Sequence, residues 1–149
     1  MSIGFAIGLG GVIFALPSLL NCSDKARESE GRNNIGVIIR GQEAFYLKNN
    51  KFTNSMPELS VDISPQTINY QYSIQTDRQF VVSYAQGKKT SLKSYLGVVF
   101  IGTVPNSDRA STTKTIKCEV SQPQPLANIM PVYQNGEVSC PQGTKLLGY

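Results

Sequence analysis

The hydrophobic pattern divides the first fifty residues into two parts. Residues 3–20 contain no charged side chain and are almost all apolar or small, apart from Pro17. A helix over this run would be about 27 Å long, enough to cross a bilayer core. From Asp24 onward charged residues appear, while a stripe continues every three or four residues through Ile35, Ile38 or Ile39, Gln42, and Phe45 or Tyr46. The pattern predicts one long helix, kinked near Pro17, with a second half (23–50) that covers a sheet.

Alternating apolar positions then predict four strands of an antiparallel sheet, between about residues 68 and 120. The predicted strands are residues 68–74, 79–85, 95–104 and 113–120. The third is the most apolar: Val98 and Phe100 share one face, and Val99 and Ile101 share the other. Both faces of this strand are therefore expected to be covered, one by the helix and one by another segment. The fold class is α+β.

Residues 121–149 carry four prolines and three glycines and predict a loop with little regular structure. In an exported domain Cys118 and Cys140 can pair, which leaves Cys22 over. Such a bridge is expected to be structural, because the chain has no Cys-x-x-Cys motif. The predicted division is a membrane or filament-core helix over residues 1–22 and a globular head over residues 23–149.

Composition argues against an enzyme. The 149 residues include no His, so the usual general base and the commonest metal ligand are both missing. No catalytic, cofactor-binding or metal-binding residue is predicted. The net charge of +4 has two interpretations, a neutral-to-basic solvated surface or weak DNA binding through basic loops. The lysines that would carry the DNA binding are Lys88, Lys89 and Lys93.

Three segments carry a family resemblance: ALPSLLN (15–21), KARESE (25–30) and RGQEAFYLKNNKF (40–52). Together they resemble the N-terminal helix of type IV pilins and, more narrowly, the pilin-like proteins of cyanobacteria. The resemblance extends more weakly to residues 69–74, 92–97 and 116–119.

The resemblance implies a pilin fold, in which a disulfide-closed C-terminal loop lies on the filament surface. It also implies a structural subunit of a type IV pilus or pilus-like filament (a fimbrium), with adhesion, twitching motility or DNA uptake as its activity. Copies of the chain, or other pilins, would be its partners. It would be anchored in the inner membrane first and lie on the cell surface after assembly. The expected filament-core residues are Ile3, Phe5, Ile7, Leu9, Val12, Ile13, Phe14, Leu16, Pro17, Leu19 and Leu20.

The charged residues after the apolar run leave two interpretations open. Arg27, Glu28, Glu30 and Arg32 lie mostly off the apolar stripe. They form either a solvated helix face or a set of charges that pair between subunits. Glu28 and Arg32 are also spaced for an ion pair within the helix.

The N-terminus departs from the family pattern. Gly4-Phe5 is the dipeptide at which pilin leaders are cut, but no basic residue precedes it and no Glu follows closely. Alignment on Pro17 places the cleavage site upstream of Met1, so either the start is internal to the reading frame or the helix is shortened and unprocessed. The alternative function is a non-polymerising surface binding domain, anchored by its helix or by a lipid on Cys22.

Overall fold

The computed structural model describes residues 16–103 and 111–148, together with their side chains except those of residues 16–21, 103 and 111. Most of the predicted filament-core residues lie outside the described residues, namely Ile3, Phe5, Ile7, Leu9, Val12, Ile13 and Phe14. Leu16, Pro17, Leu19 and Leu20 belong to the first helix by their backbone. The kink at Pro17 stays a prediction.

The described chain is one long helix followed by an antiparallel sheet, which confirms the α+β class. The helix α1 spans Leu16–Asn49. The main sheet has the order β1-β2-β3-β4-β7, and β5 and β6 form a separate two-stranded sheet. The strands are β1 (Tyr70–Thr76), β2 (Phe80–Gly87), β3 (Ser94–Thr103), β4 (Ser111–Val120), β5 (Val132–Gln134), β6 (Glu137–Ser139) and β7 (Lys145–Leu146). Two short 3-10 helices, Met56–Leu59 and Leu126–Asn128, complete the described elements.

The first strand begins two residues later than the alternation predicts, and Ile68 lies outside the sheet. Thr67 and Tyr70 bond to each other across a tight turn: the Thr67 N–H donates to the Tyr70 carbonyl at 2.9 Å, and the Tyr70 N–H donates to Thr67 Oγ1 at 3.0 Å. Ile68 lies inside this turn and is 86% exposed. A local hydroxyl-to-backbone bond has here overridden the hydrophobic pattern.

One face of α1 packs on the sheet through three isoleucines and a glutamine. Ile35, Ile38, Ile39 and Gln42 are all buried. The helix approaches β3 closely at Gly97, where a Cβ atom would lie 2.6 Å from the Ile39 Cδ1 atom. A larger residue at that position would force the helix away from the sheet.

Gln42 also fixes the loop that follows the helix. Its Nε2 donates to the Thr53 carbonyl at 2.6 Å, and its Oε1 accepts the Thr53 N–H at 3.2 Å. A buried amide with both ends satisfied stabilises the fold, whereas an unpaired one would destabilise it. Phe52 and Leu59 are buried under this loop and Met56 is partly buried beside them.

Strand β3 has an apolar cluster on each face, as its sequence predicts. Val99 packs in the cluster under α1, and Ile101 is packed against that cluster. Val98 and Phe100 belong to the cluster on the opposite face, together with Leu126 from the tail. The second cover is therefore the C-terminal segment.

The tail contains more regular structure than a predicted loop. It includes a 3-10 turn, the β5–β6 hairpin and the fifth strand of the main sheet, so the four-strand prediction is extended by one short strand. Asn135 and Gly136 have positive φ values of 53° and 76° and form the hairpin turn. Val138 on β6 is buried against the sheet. These strands of two or three residues are too short for sequence alternation to reveal.

The predicted disulfide is present. Cys118 on β4 is bonded to Cys140, which follows β6, with Cα atoms 5.8 Å apart. Cys22 is free and exposed. The bridge holds the tail against the same sheet face that its apolar side chains cover.

Reduction of the bridge should lower the free energy of unfolding by about 3 kcal/mol, because the unfolded chain regains the entropy of an open loop. We expect the C118S/C140S variant to show this loss in chemical denaturation. C22S is the matched control and should leave the stability unchanged. Equal stability of both variants would contradict a stapling role for the bridge.

Gly31 and Gly36 on α1 should respond in opposite directions to alanine. A Cβ at Gly31 would lie 2.6 Å from the buried Tyr70 ring, whereas at Gly36 it would meet only Arg40 at 3.5 Å. We expect G31A to destabilise the domain by about 1–3 kcal/mol through overpacking. G36A should stabilise it by about 0.5–1 kcal/mol through helix propensity. Thermal denaturation of the two variants measures the difference, and a stabilised G31A would be inconsistent with this packing.

Burial of the sheet tyrosines predicts sensitivity to alkali. Desolvation raises the pKa of Tyr84 to about 12, and its hydroxyl donates to the Ile129 carbonyl at 2.7 Å. Since the unfolded chain releases this proton near pH 10, the free energy of unfolding should fall between about pH 10 and 12. Y84F should lose about 1 kcal/mol at neutral pH and show a shallower alkaline decline. A decline as steep as that of the wild type would exclude Tyr84 as a source of the effect.

Candidate assembly surface

The face of α1 opposite the sheet is exposed along the described helix. Six exposed residues recur on it at intervals of three, four or seven positions, which places them on one side of the helix. We call this set the outer helix face. It consists of Cys22, Ala26, Asn33, Arg40, Ala44 and Leu47.

Within this set only Arg40 is charged, and the exposed basic residues Lys25, Arg32 and Lys48 flank it along the same helix. Leu47 is 83% exposed. Solvated helix faces are usually rich in charged residues, whereas this one is mostly small or neutral. Gly36 lies at its margin, where an added Cβ would meet only the Arg40 Nη1 atom, at 3.5 Å. A surface of this composition lets another helix approach closely.

The packing of α1 on the sheet determines which residues form the outer helix face. The helix is 34 residues long, or about 51 Å. Residues at the buried positions 31, 35, 38, 39 and 42 fix its rotation. Every residue half a turn away is then directed outward, on the same helix that begins within the apolar run.

The charges predicted to pair between subunits mostly have partners within the chain. Arg27 forms an ion pair with Asp24 at 3.0 Å. Glu28 accepts the backbone N–H of Lys93 at 3.1 Å and, among the described residues, has no ion pair with Arg32, which is exposed. These side chains lie beside the outer helix face, not on it.

Glu30 connects the helix to the start of β1. Its carboxylate accepts hydrogen bonds from Asn69 Nδ2 at 2.7 Å and from Tyr72 Oη at 3.5 Å. It also accepts a hydrogen bond from the Thr67 hydroxyl. Asn34 Nδ2 donates to the same Tyr72 oxygen at 2.9 Å. No sequence signal indicates these contacts, because the bonded groups are about forty residues apart.

The three lysines predicted as a DNA-binding set differ in their surroundings. Lys93 Nζ forms an ion pair with Glu119 at 2.9 Å. Lys88 Nζ donates to the Thr67 carbonyl at 2.5 Å. Lys89 is exposed in the turn between β2 and β3. The structure therefore places the three lysines on one loop. Among the described residues, Lys88 and Lys89 have no acidic partner, whereas Lys93 has one.

A cleft of about 370 Å³ lies between the C-terminal half of α1 and the first 3-10 helix. Gly41, Phe45 and Leu59 provide its apolar walls, and Ala44 connects it to the outer helix face. Lys48 and Glu58 lie at its polar side. Its size and lining suit an apolar side chain from a neighbouring helix.

The described residues show no cluster suited to holding a metal ion. Within residues 16–103 and 111–148, no three His, Cys, Asp or Glu side chains come together as a metal site would require. Two buried hydroxyls, Ser83 Oγ and Tyr95 Oη, have no hydrogen-bond partner in the same part of the chain. In the part of the chain that the structure describes, no helix combines the length and the apolar character needed to cross a membrane.

Comparison with known proteins gives one match. The model of the type IV pilin-like G and H family matches residues 28–141, from a point within α1 through both bridged cysteines. No curated protein and no solved structure matches the chain. The family match covers well over half of the sequence and agrees with the long helix, the antiparallel sheet and the Cys118–Cys140 bridge. The chain therefore belongs to the type IV pilin-like G and H family.

Proposed function

We propose that this chain is a structural subunit of a type IV pilus or pilus-like filament. Copies would associate through the apolar N-terminal run and through the outer helix face that continues it. The observation that carries the proposal is the row of exposed small and apolar residues, Ala26, Ala44 and Leu47, on the outer helix face, which has no covering partner among the described residues. Family membership supports the same structural role.

Burial of the outer helix face would provide part of the assembly energy. Removing apolar surface from water contributes about 25 cal/mol per Å², and a fully exposed leucine about 1.5–3 kcal/mol. Leu47 is close to fully exposed. Ala26 and Ala44 are small enough for two helices to approach closely. Arg40 is the one side chain of this face whose charge must be solvated or paired at the interface.

The cleft beside Ala44 offers a specific contact for a neighbouring subunit. An apolar side chain from the N-terminal run of another copy would fit between Phe45 and Leu59, and Gly41 leaves room at its base. Anchors of this type concentrate binding energy in a few positions. This would fix the register between subunits as well as their affinity.

The location and activity of the filament are part of the same proposal. The apolar run would hold the subunit in the inner membrane before assembly, and the assembled filament would lie on the cell surface. Adhesion, twitching motility and DNA uptake are the activities that such a filament would serve. A filament of this kind needs no catalytic group in the subunit.

A44E tests the assembly surface. It places a carboxylate on the outer helix face, where burial in a helix interface would cost several kcal/mol. We expect filaments to be lost from sheared-cell fractions and electron micrographs, while the subunit still accumulates and keeps its disulfide. Q71E adds the same charge to an exposed position on β1 and should leave filaments intact.

Filaments of normal number from A44E would contradict the proposed interface. Monomers from the wild-type chain, with an acyl group on Cys22 seen by mass spectrometry, would instead favour a lipid-anchored surface domain. The observation behind that alternative is that Cys22 is free and exposed near the end of the apolar run.

A further inference from the structure

We propose that the domain rests on anionic lipid headgroups through Lys25, Lys88 and Lys89 before assembly. We call these three exposed lysines the basic end. The inference rests on the proposed function in one respect, since it takes the apolar run to be in the membrane. It adds a second, electrostatic contact between the head domain and the lipid surface.

The basic end lies where α1 continues into the apolar run. Lys25 is five residues beyond Leu20, about 7.5 Å along the helix axis. The turn between β2 and β3 reaches the next helical turns, because the Lys93 N–H bonds to Glu28. Glu28 is eight residues beyond Leu20, or about 12 Å along the helix axis. If the membrane holds the run up to Leu20, its headgroups would therefore lie within about this distance of the turn.

The turn that carries Lys88 and Lys89 is held in place. The Lys88 N–H donates to the Asn69 carbonyl at 2.8 Å, and the Leu92 N–H donates to the Lys89 carbonyl at 3.0 Å. The Tyr70 hydroxyl closes the turn with a 2.9 Å bond to the Lys93 carbonyl. Little backbone conformational entropy would be lost when these lysines meet a charged surface.

Charge at this end is positive because its basic residues outnumber its acids. Arg27 pairs with Asp24, and Lys93 pairs with Glu119. Glu28 and Glu30 accept internal hydrogen bonds. No ion pair joins a lysine of the basic end to a carboxylate of the described residues. The three lysines and Arg32 carry four positive charges, whereas Glu28 and Glu30 carry two negative ones.

The surroundings favour a lipid surface over single-stranded nucleic acid. Nucleic-acid grooves combine basic residues with exposed aromatic rings on which bases stack. The tyrosines nearest this turn, Tyr70, Tyr72 and Tyr95, are all at least 96% buried in the described structure. Lysines without stacking partners, beside an apolar run, are typical of contacts with anionic membrane surfaces.

The full chain can be tested in vesicles of phosphatidylcholine with and without phosphatidylglycerol. Acetylation of each lysine, followed by mass spectrometry, measures its protection. We expect the lysines of the basic end to react about fivefold more slowly when phosphatidylglycerol is present, and salt to reverse the effect. Lys48 and Lys51, at the far end of α1, are internal controls that should change less than about twofold, since the surface potential is screened there.

A pair of matched variants sharpens the result. K88Q/K89Q should reduce the protection of Lys25, because fewer charges hold the domain on the surface. K48Q/K51Q removes the same charge elsewhere and should leave Lys25 protected. If K88Q/K89Q fails to fold, K89Q alone keeps the test, since Lys89 makes no side-chain bond to the described residues.

The possible failures are distinguishable. If the chain is not recovered with phosphatidylcholine vesicles, the membrane anchor of the proposed function fails. If it is recovered but its lysines react equally in both vesicle types, the basic end has no lipid role and the inference is overturned. Protection of Lys88 and Lys89 by a single-stranded oligonucleotide, with none from phosphatidylglycerol, would overturn it in favour of nucleic-acid binding.

Discussion

The contact between one face of α1 and strands β2 and β3 is the constraint from which the other features follow. Ile35 and Ile39 lie so close to β3 that only glycine fits at position 97, and the Tyr70 ring similarly requires glycine at position 31. Interiors packed at this density tolerate little change in volume. The rotation of the helix is therefore fixed, and with it the identity of every residue on its opposite side.

The C-terminal segment covers the sheet face that α1 leaves exposed. Strand β3 is apolar on both faces, and α1 can cover only one. Leu126 and Val138 from the tail cover the other, and the bridge between Cys118 and Cys140 keeps this thin layer in place. Because the tail alone buries little apolar surface, a covalent link that restricts the unfolded chain contributes a large share of its stability.

Bonds that the acidic residues make within the chain influence the charge of two surfaces, the outer helix face and the basic end. Glu28 and Glu30 bond to the turn between β2 and β3 and to the start of β1, so they hold the domain together instead of facing outward. No acidic residue belongs to the outer helix face, and its exposed charged neighbours on α1 are all basic. The lysines near the apolar run are left without acidic partners among the described residues. One set of intramolecular bonds thus favours helix association on one side and contact with anionic lipid at one end.

The sequence by itself predicted the described helix, the four long strands and a possible bridge between Cys118 and Cys140, because hydrophobic periodicity and the positions of cysteines can be read along the chain. It also predicted two covered faces for β3 from the residues around Val98. Tertiary structure decided what the sequence could not. The partners of Glu30 are about forty residues away, the displacement of Ile68 depends on the turn between Thr67 and Tyr70, and the strands of the tail are too short for a pattern. Which charges face outward depends on these long-range bonds, and a one-dimensional pattern cannot encode them.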